Sequence, residues 1–193
     1  LYWPIKRYAQ SYPMLLGWWG TENTKQRHLW PGISISRDSS DKSIDETLNQ
    51  IMIDRGMQPQ SKGVVHWSIS SVIKNPRLAD TLLKSVYKKQ ALIPASPWLG
   101  NQKPETPLVS VATSDNMINI NWKHEKTENL THFVVYFKYS DNWEYQIVNA
   151  NTFNLVLPKI QYNKTDGKNL KEIIVTAVSR TGVESNKEIV KLY

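Results

Sequence analysis

Cysteine is absent from the 193 residues, which excludes a disulfide framework, a thiolate metal site and a cysteine nucleophile. No apolar run reaches the roughly 20 residues of a membrane-spanning helix. The opening LYWPIKRYAQ lacks the basic-then-apolar order of a secretion signal, so the chain reads as the continuation of something longer. No glycine-rich phosphate loop, nucleophile elbow or zinc-ligand spacing is present, and neither a cofactor nor a metal is expected. Acidic residues are scarce in the first half. Residues 1–103 hold 14 Lys and Arg against 7 Asp and Glu, whereas residues 104–193 hold 10 of each. The formal charge of +7 therefore lies wholly in the first half, with six of the eight tryptophans. Basic charge beside aromatics suits nucleic acid, sugar rings, or an ordinary solvated surface over buried indoles. No helix or sheet reader of nucleic acid is recognisable, and nucleic acid is not an expected partner.

What is present falls into two grammars. In the first half, apolar strands alternate with helical stretches. The opening LYWPI reads as a strand, and a helix follows from near Ser11, carrying Tyr12, Leu15, Leu16 and Trp19. RHLWPGISIS reads as a strand through the even spacing of Leu29, Ile33 and Ile35, interrupted by Trp30, Pro31 and Gly32. The next helix is marked by a Ser43–Glu46 capping box, a stripe of Ile44, Leu48, Ile51 and Met52, and a terminating Gly56. A short strand, Val64 to Trp67, precedes a last helix with Asn75 as N-cap, Pro76 in the first turn, and Leu78, Leu82 and Val86 as its stripe. This strand–helix alternation argues for parallel βαβ units. After the polar segment NQKPETP the helical period disappears. Short β-branched and aromatic runs (ININ, HFVVYFKY, WEYQIV, FNLVLP, EIIVTAVS) separated by polar turns indicate a small antiparallel sandwich. The expected domains are 1–100, a linker at 101–107, and 108–193.

The second half resembles a fibronectin type III domain, through Pro104 and Pro107, the strand-B Trp122, the strand-C FVVYFKY and the F-strand IIVTAVSRTGVES. Ile173 stands where that resemblance implies a tyrosine, so the tyrosine-corner hydrogen bond is not carried over. The first half resembles the carboxyl-terminal portion of the glycosyl hydrolase-like family 10, bacterial envelope proteins with a (β/α)8 barrel, through LYWPI, YPMLLGWW, RHLWPGI, GVVHWSIS and ALIPASPWLG in that order. The fold this implies is α/β plus all-β: the last three βα units of a TIM-type barrel, a closing strap, then the sandwich. It also implies an envelope, periplasmic or extracellular setting and glycosidic-bond hydrolysis, with denuded peptidoglycan strands the first substrate to test.

In a barrel the active face lies at the carboxyl ends of the strands. Trp3, Trp30 and Trp67 are read as closing three consecutive strands, and are candidates for sugar stacking or for core packing. His28 shares a strand face with Trp30 and is a candidate contact or a structural histidine, as is His66. Glycoside hydrolysis normally requires two carboxyl groups across the bond, and none falls on these strand ends. Asp38 and Asp41, in the loop SRDSSDKS, could reach the active face, with Asp38 the candidate substrate contact; Glu22 is less well placed. The catalytic acids are thus unidentified and are expected in an amino-terminal barrel portion of the same polypeptide, with a glycan as ligand. An incomplete sheet also predicts self-association of this chain. The alternative is a noncatalytic carbohydrate-binding or adhesive module. The pair Trp18 and Trp19 is read as core.

Overall fold

A computed structural model of the chain describes residues 3–35, 41–163 and 166–192. It is mixed α/β and sheet-rich, and divides into two compact units, Leu1–Lys89 and Gln90–Tyr193.

The first unit is built on one βαβ crossover. Helix α1 (Tyr12–Glu22) opens at Ser11, whose hydroxyl accepts from the Met14 N–H at 3.4 Å, with Pro13 in the first turn, where its missing donor costs nothing. Strand β1 (Gly32–Ser34), helix α2 (Asp41–Met57) and strand β2 (Val65–Trp67) follow, and the two strands pair in parallel, Gly32 with Val65, Ile33 with His66, Ser34 with Trp67. Helices α3 (Ile69–Lys74) and α4 (Pro76–Lys84) complete the unit. Asn75 caps α4 by accepting from the Leu78 N–H at 3.2 Å.

One face of this small sheet is covered. Ile33 and Ile35 pack with Tyr12 and Leu16 of α1, Ile44 and Ile51 of α2, and Leu78 and Leu82 of α4, all buried. Alternation turns Gly32, Ser34, Val65 and Trp67 to the opposite face, where Val65 and Trp67 are exposed.

Several sequence expectations are corrected here. Residues 3–5 form no strand. Trp30 and Pro31 precede β1 instead of closing it, because pairing starts at Gly32 with only a single bridge, Leu29 to Ser61, before it. Ser43 lies inside α2, and Glu46 is spent on another donor, the Ile5 N–H at 2.7 Å. Met52 is exposed, since the buried stripe of α2 runs Ile44, Thr47, Ile51, Asp54. Gly56 remains helical, with α2 ending one residue later. Trp18 and Trp19 are both about half exposed and meet edge to face at 4.8 Å; the buried positions of α1 are Tyr12 and Leu16.

The second unit is an antiparallel sandwich. Strands β3 (Leu108–Ser114), β4 (Met117–Lys123) and β7 (Asn154–Pro158) form one sheet in that order. Strands β10 (Val190–Lys191), β9 (Asp166–Ser179), β5 (Leu130–Tyr139) and β6 (Asn142–Asn149) form the other, and β8 (Ile160–Asn163) pairs with the start of β9. A three-strand sheet of first, second and fifth strands against one of the remaining strands is the fibronectin type III-like order. Two-residue turns join β3 to β4 and β5 to β6, with Asp115 and Ser140 at positive φ, as such hairpins require. Ile118, Ile120 and Trp122 from β4 meet Phe133, Val135 and Phe137 from β5 and Ile173, Val175 and Ala177 from β9 in the core. Ile173, in the tyrosine position of the resemblance, is fully buried.

The segment read as a barrel strap, residues 91–100, lies in this second unit. Ser96 N–H donates to the Thr181 carbonyl at 2.7 Å, and the Thr181 hydroxyl to the Gly100 carbonyl at 2.9 Å. Gly182, at φ 77°, leaves the space in which Ile93 to Ala95 pass; a Cβ there would stand 2.9 Å from the Ala95 Cα. The proline segment that follows is also tied down, with Lys103 Nζ donating to Asn186 Oδ1 at 2.9 Å and Pro107 buried.

Candidate functional site

The carboxyl ends of β1 and β2 lie side by side because the strands are parallel and in register, and they present Ser34 and Trp67 on the uncovered face. The Ile35 N–H donates to the Trp67 carbonyl at 3.0 Å and carries the pairing one residue past the strand. Trp67 is 61% exposed, and the peptide bond to Ser68 is cis. The Ser68 and Ser70 hydroxyls share a hydrogen bond at 2.7 Å. Behind Trp67, on the covered face, the His66 Nε2 meets the Tyr87 hydroxyl at 2.7 Å. Burial pushes the His66 pKa down and the Tyr87 pKa up, the latter partly offset by Arg55. The His66 contact ties the strand carrying Trp67 to Tyr87.

The structure separates the other candidates from Trp67. Trp30 lies before the amino end of β1, half exposed, with the His28 imidazole stacked on it at 6.1 Å and 18°. Trp30 and Trp19 line a cavity of about 320 Å³ with Leu16, Leu29 and Pro31. Trp3 is held through its carbonyl, which accepts from Gln50 Nε2 at 3.4 Å, and the Arg7 guanidinium lies 3.5 Å from the centre of its ring. Asp38 lies outside the described residues. Asp41 is the first residue of α2, and Glu22 is exposed at the end of α1. Strands β1 and β2 themselves carry no carboxylate, so neither supplies the pair that glycoside hydrolysis uses.

One buried acid escaped the sequence reading. Asp54 is 1% exposed and faces Ser61 and Tyr12 at the amino end of the strands. The Ser61 oxygen stands 2.9 Å from the Leu29 carbonyl and 2.5 Å from Asp54 Oδ1. The Ser61 hydroxyl thus has two acceptors within reach and shares its one proton between them. Burial raises the Asp54 pKa, partly opposed by the Ser61 hydrogen bond and Arg55. Burial, and then Asp54, raises the pKa of Tyr12 as well. The signal was available in the sequence as a carboxylate at the 44–47–51–54 spacing of a buried helical stripe.

No protein-family model matches the chain. Over 148 residues, 70% of the chain, it is 30% identical to the glycosyl hydrolase YngK of Bacillus subtilis (strain 168), and the chain is homologous to that hydrolase. The matched region spans 29% of the length of YngK. Among solved structures, the spore cortex lytic enzyme SleM of Clostridium perfringens is 21% identical at a TM-score of 0.34, covering 46% of this chain and 28% of its own. The glycoside hydrolase domain of Endo-D from Streptococcus pneumoniae R6 is 21% identical at 0.37, covering 48% and 15%. The fn3 domain of human collagen α1(XX) is 12% identical at 0.37, covering 48% and 87%. At such scores these likenesses carry no argument about function.

Proposed function

We propose that this chain is part of a hydrolase of the glycosyl hydrolase-like family 10 type, acting on glycan chains such as denuded peptidoglycan strands at the cell envelope. In this reading residues 3–89 supply one wall of the cleft and the sandwich is an accessory domain. The observation that carries it is the 30% identity to a glycosyl hydrolase over 148 residues. The local geometry supports it. A βαβ unit whose helices cover one sheet face, while Val65 and Trp67 stand exposed on the other, is what two neighbouring strands of a barrel look like without the rest. The remaining strands, and the carboxyl pair, belong in this reading to an amino-terminal portion of the same polypeptide, and no cofactor is called on.

The product of the complete reading frame and the 193-residue chain are incubated with denuded peptidoglycan strands, and new reducing ends are counted. The complete product releases them and the chain alone does not. Cleavage by the chain alone, or none by a folded complete product on any glycan tried, overturns the reading.

A further inference from the structure

We propose that the first unit binds one internal water molecule between Tyr12 and Asp54, and that this water joins helix α1 to helix α2. Both side chains are sealed from solvent, Tyr12 at 0% and Asp54 at 1% exposure. Two oxygens there, the Tyr12 hydroxyl and Asp54 Oδ2, are buried without a protein partner. Such groups are rare in folded proteins, and a shared buried water is the usual group that serves them.

The two oxygens belong to one site. The chain from Trp3 to Leu16 runs alongside α2 in the same direction: the Trp3 carbonyl meets Gln50 at 3.4 Å, and the Leu16 carbonyl meets Gln58 Nε2 at 3.5 Å. Tyr12 lies between those two ties, against the turn of α2 that carries Asp54. The electrostatics agree, since burial raises the Tyr12 pKa and the Asp54 charge adds to it. Yet the two side chains make no direct hydrogen bond. Neither is free to close the gap. Asp54 Oδ1 is engaged by the Ser61 hydroxyl at 2.5 Å, and the Tyr12 backbone N–H donates to the Pro4 carbonyl at 3.1 Å.

Water suits this pair better than a cation does. A hard cation gathers six or more oxygen ligands, and among the described residues no group of three or more His, Asp or Glu side chains is assembled. A water needs only two to four polar partners. It also donates and accepts, so it serves Asp54 whether the carboxyl is ionised or protonated. The resulting chain of hydrogen bonds runs from Tyr12 through the water to Asp54, then to Ser61 and the Leu29 carbonyl. It ties α1, α2 and the segment before β1 together at a place where the rest of the contacts are apolar side chains such as Leu16, Ile33 and Ile51.

A high-resolution crystal structure of the 193-residue chain tests this directly. The expected result is one density peak within hydrogen-bond distance of both Tyr12 Oη and Asp54 Oδ2, refining as water. In solution the link shows as coupling in a double-mutant cycle read by urea unfolding. Tyr12→Phe, which removes only the hydroxyl, is expected to lower the folding constant about tenfold in the wild-type background and less than about twofold beside Asp54→Leu. The same factor in both backgrounds would mean that Tyr12 acts through packing alone, and overturns the link. Where Asp54→Leu fails to fold, the crystal decides alone. A direct Tyr12 to Asp54 hydrogen bond with no peak between them overturns the proposal, as does a peak that exchanges for rubidium with an anomalous signal, which would be a cation.

Discussion

The two units meet the problem of burying a sheet in opposite ways. In the sandwich each sheet turns its apolar face to the other, and Trp122, Phe133, Val135, Ile173 and Val175 are all within 2% of full burial. In the first unit the helices bury Ile33 and Ile35 on one side, while Val65 and Trp67, one residue out of phase, stand in solvent on the other. A parallel sheet is ordinarily covered on both faces. The sandwich thus closes its apolar faces on each other, whereas the βαβ unit leaves Val65 and Trp67 exposed on one face. Those exposed residues are the ones for which function, not stability, should record a substitution.

That contrast can be broken most forcefully in the sandwich. Phe133→Ala removes a fully buried ring that touches Trp122, His124 and Phe153, and should cost about 3–5 kcal/mol, read from urea unfolding followed by β-sheet circular dichroism. A loss under about 1 kcal/mol, the scale of a surface change, would show that the core is not closed as described.

In the first unit the corresponding probe is pH. Asp54 has its folded pKa raised by burial, so the folded state binds more protons than the unfolded one between the ordinary carboxylate value and the raised value. Stability from this group is full below that window, falls as pH rises through it, and is flat above. Each unit of the rise is worth about 1.4 kcal/mol. Asp54→Asn, which keeps an acceptor for Ser61, should flatten this slope; an unchanged slope would place the titrating group elsewhere. Smaller again, Asn75→Ala should cost about 1 kcal/mol by removing the cap of α4, measured by the same unfolding with helix circular dichroism.

Much of this fold was legible from spacing. Tyr12 with Leu16, Leu78 with Leu82, the Asn75–Pro76 start and the alternation of β4 all record a local period, and the structure keeps them. What failed depended on partners distant in sequence. Whether Leu29 to Ser34 pairs along its length or only from Gly32 is decided by the register against Val65, which placed Trp30 at the wrong end of the strand. The Ser43 capping box failed because α2 starts two residues earlier, and Glu46 found the Ile5 N–H, 41 residues away. Residues 91–100 carry no period at all, and their attachment is set by hydrogen bonds to Thr181 and by the space over Gly182. Of the candidate site, Trp67 stands at the strand end the sequence assigned it, while Trp3 and Trp30 do not.

The most direct measurement is Trp67→Ala in the product of the complete reading frame, with glycan turnover and unfolding followed on the same preparation. Trp67 is 61% exposed, so stability should change by less than about 0.5 kcal/mol. The lost aromatic wall should lower kcat/KM by the equivalent of about 1–3 kcal/mol. Full turnover in a stable Trp67→Ala protein, or a loss of activity matched by unfolding, would contradict the assignment of this face to the cleft.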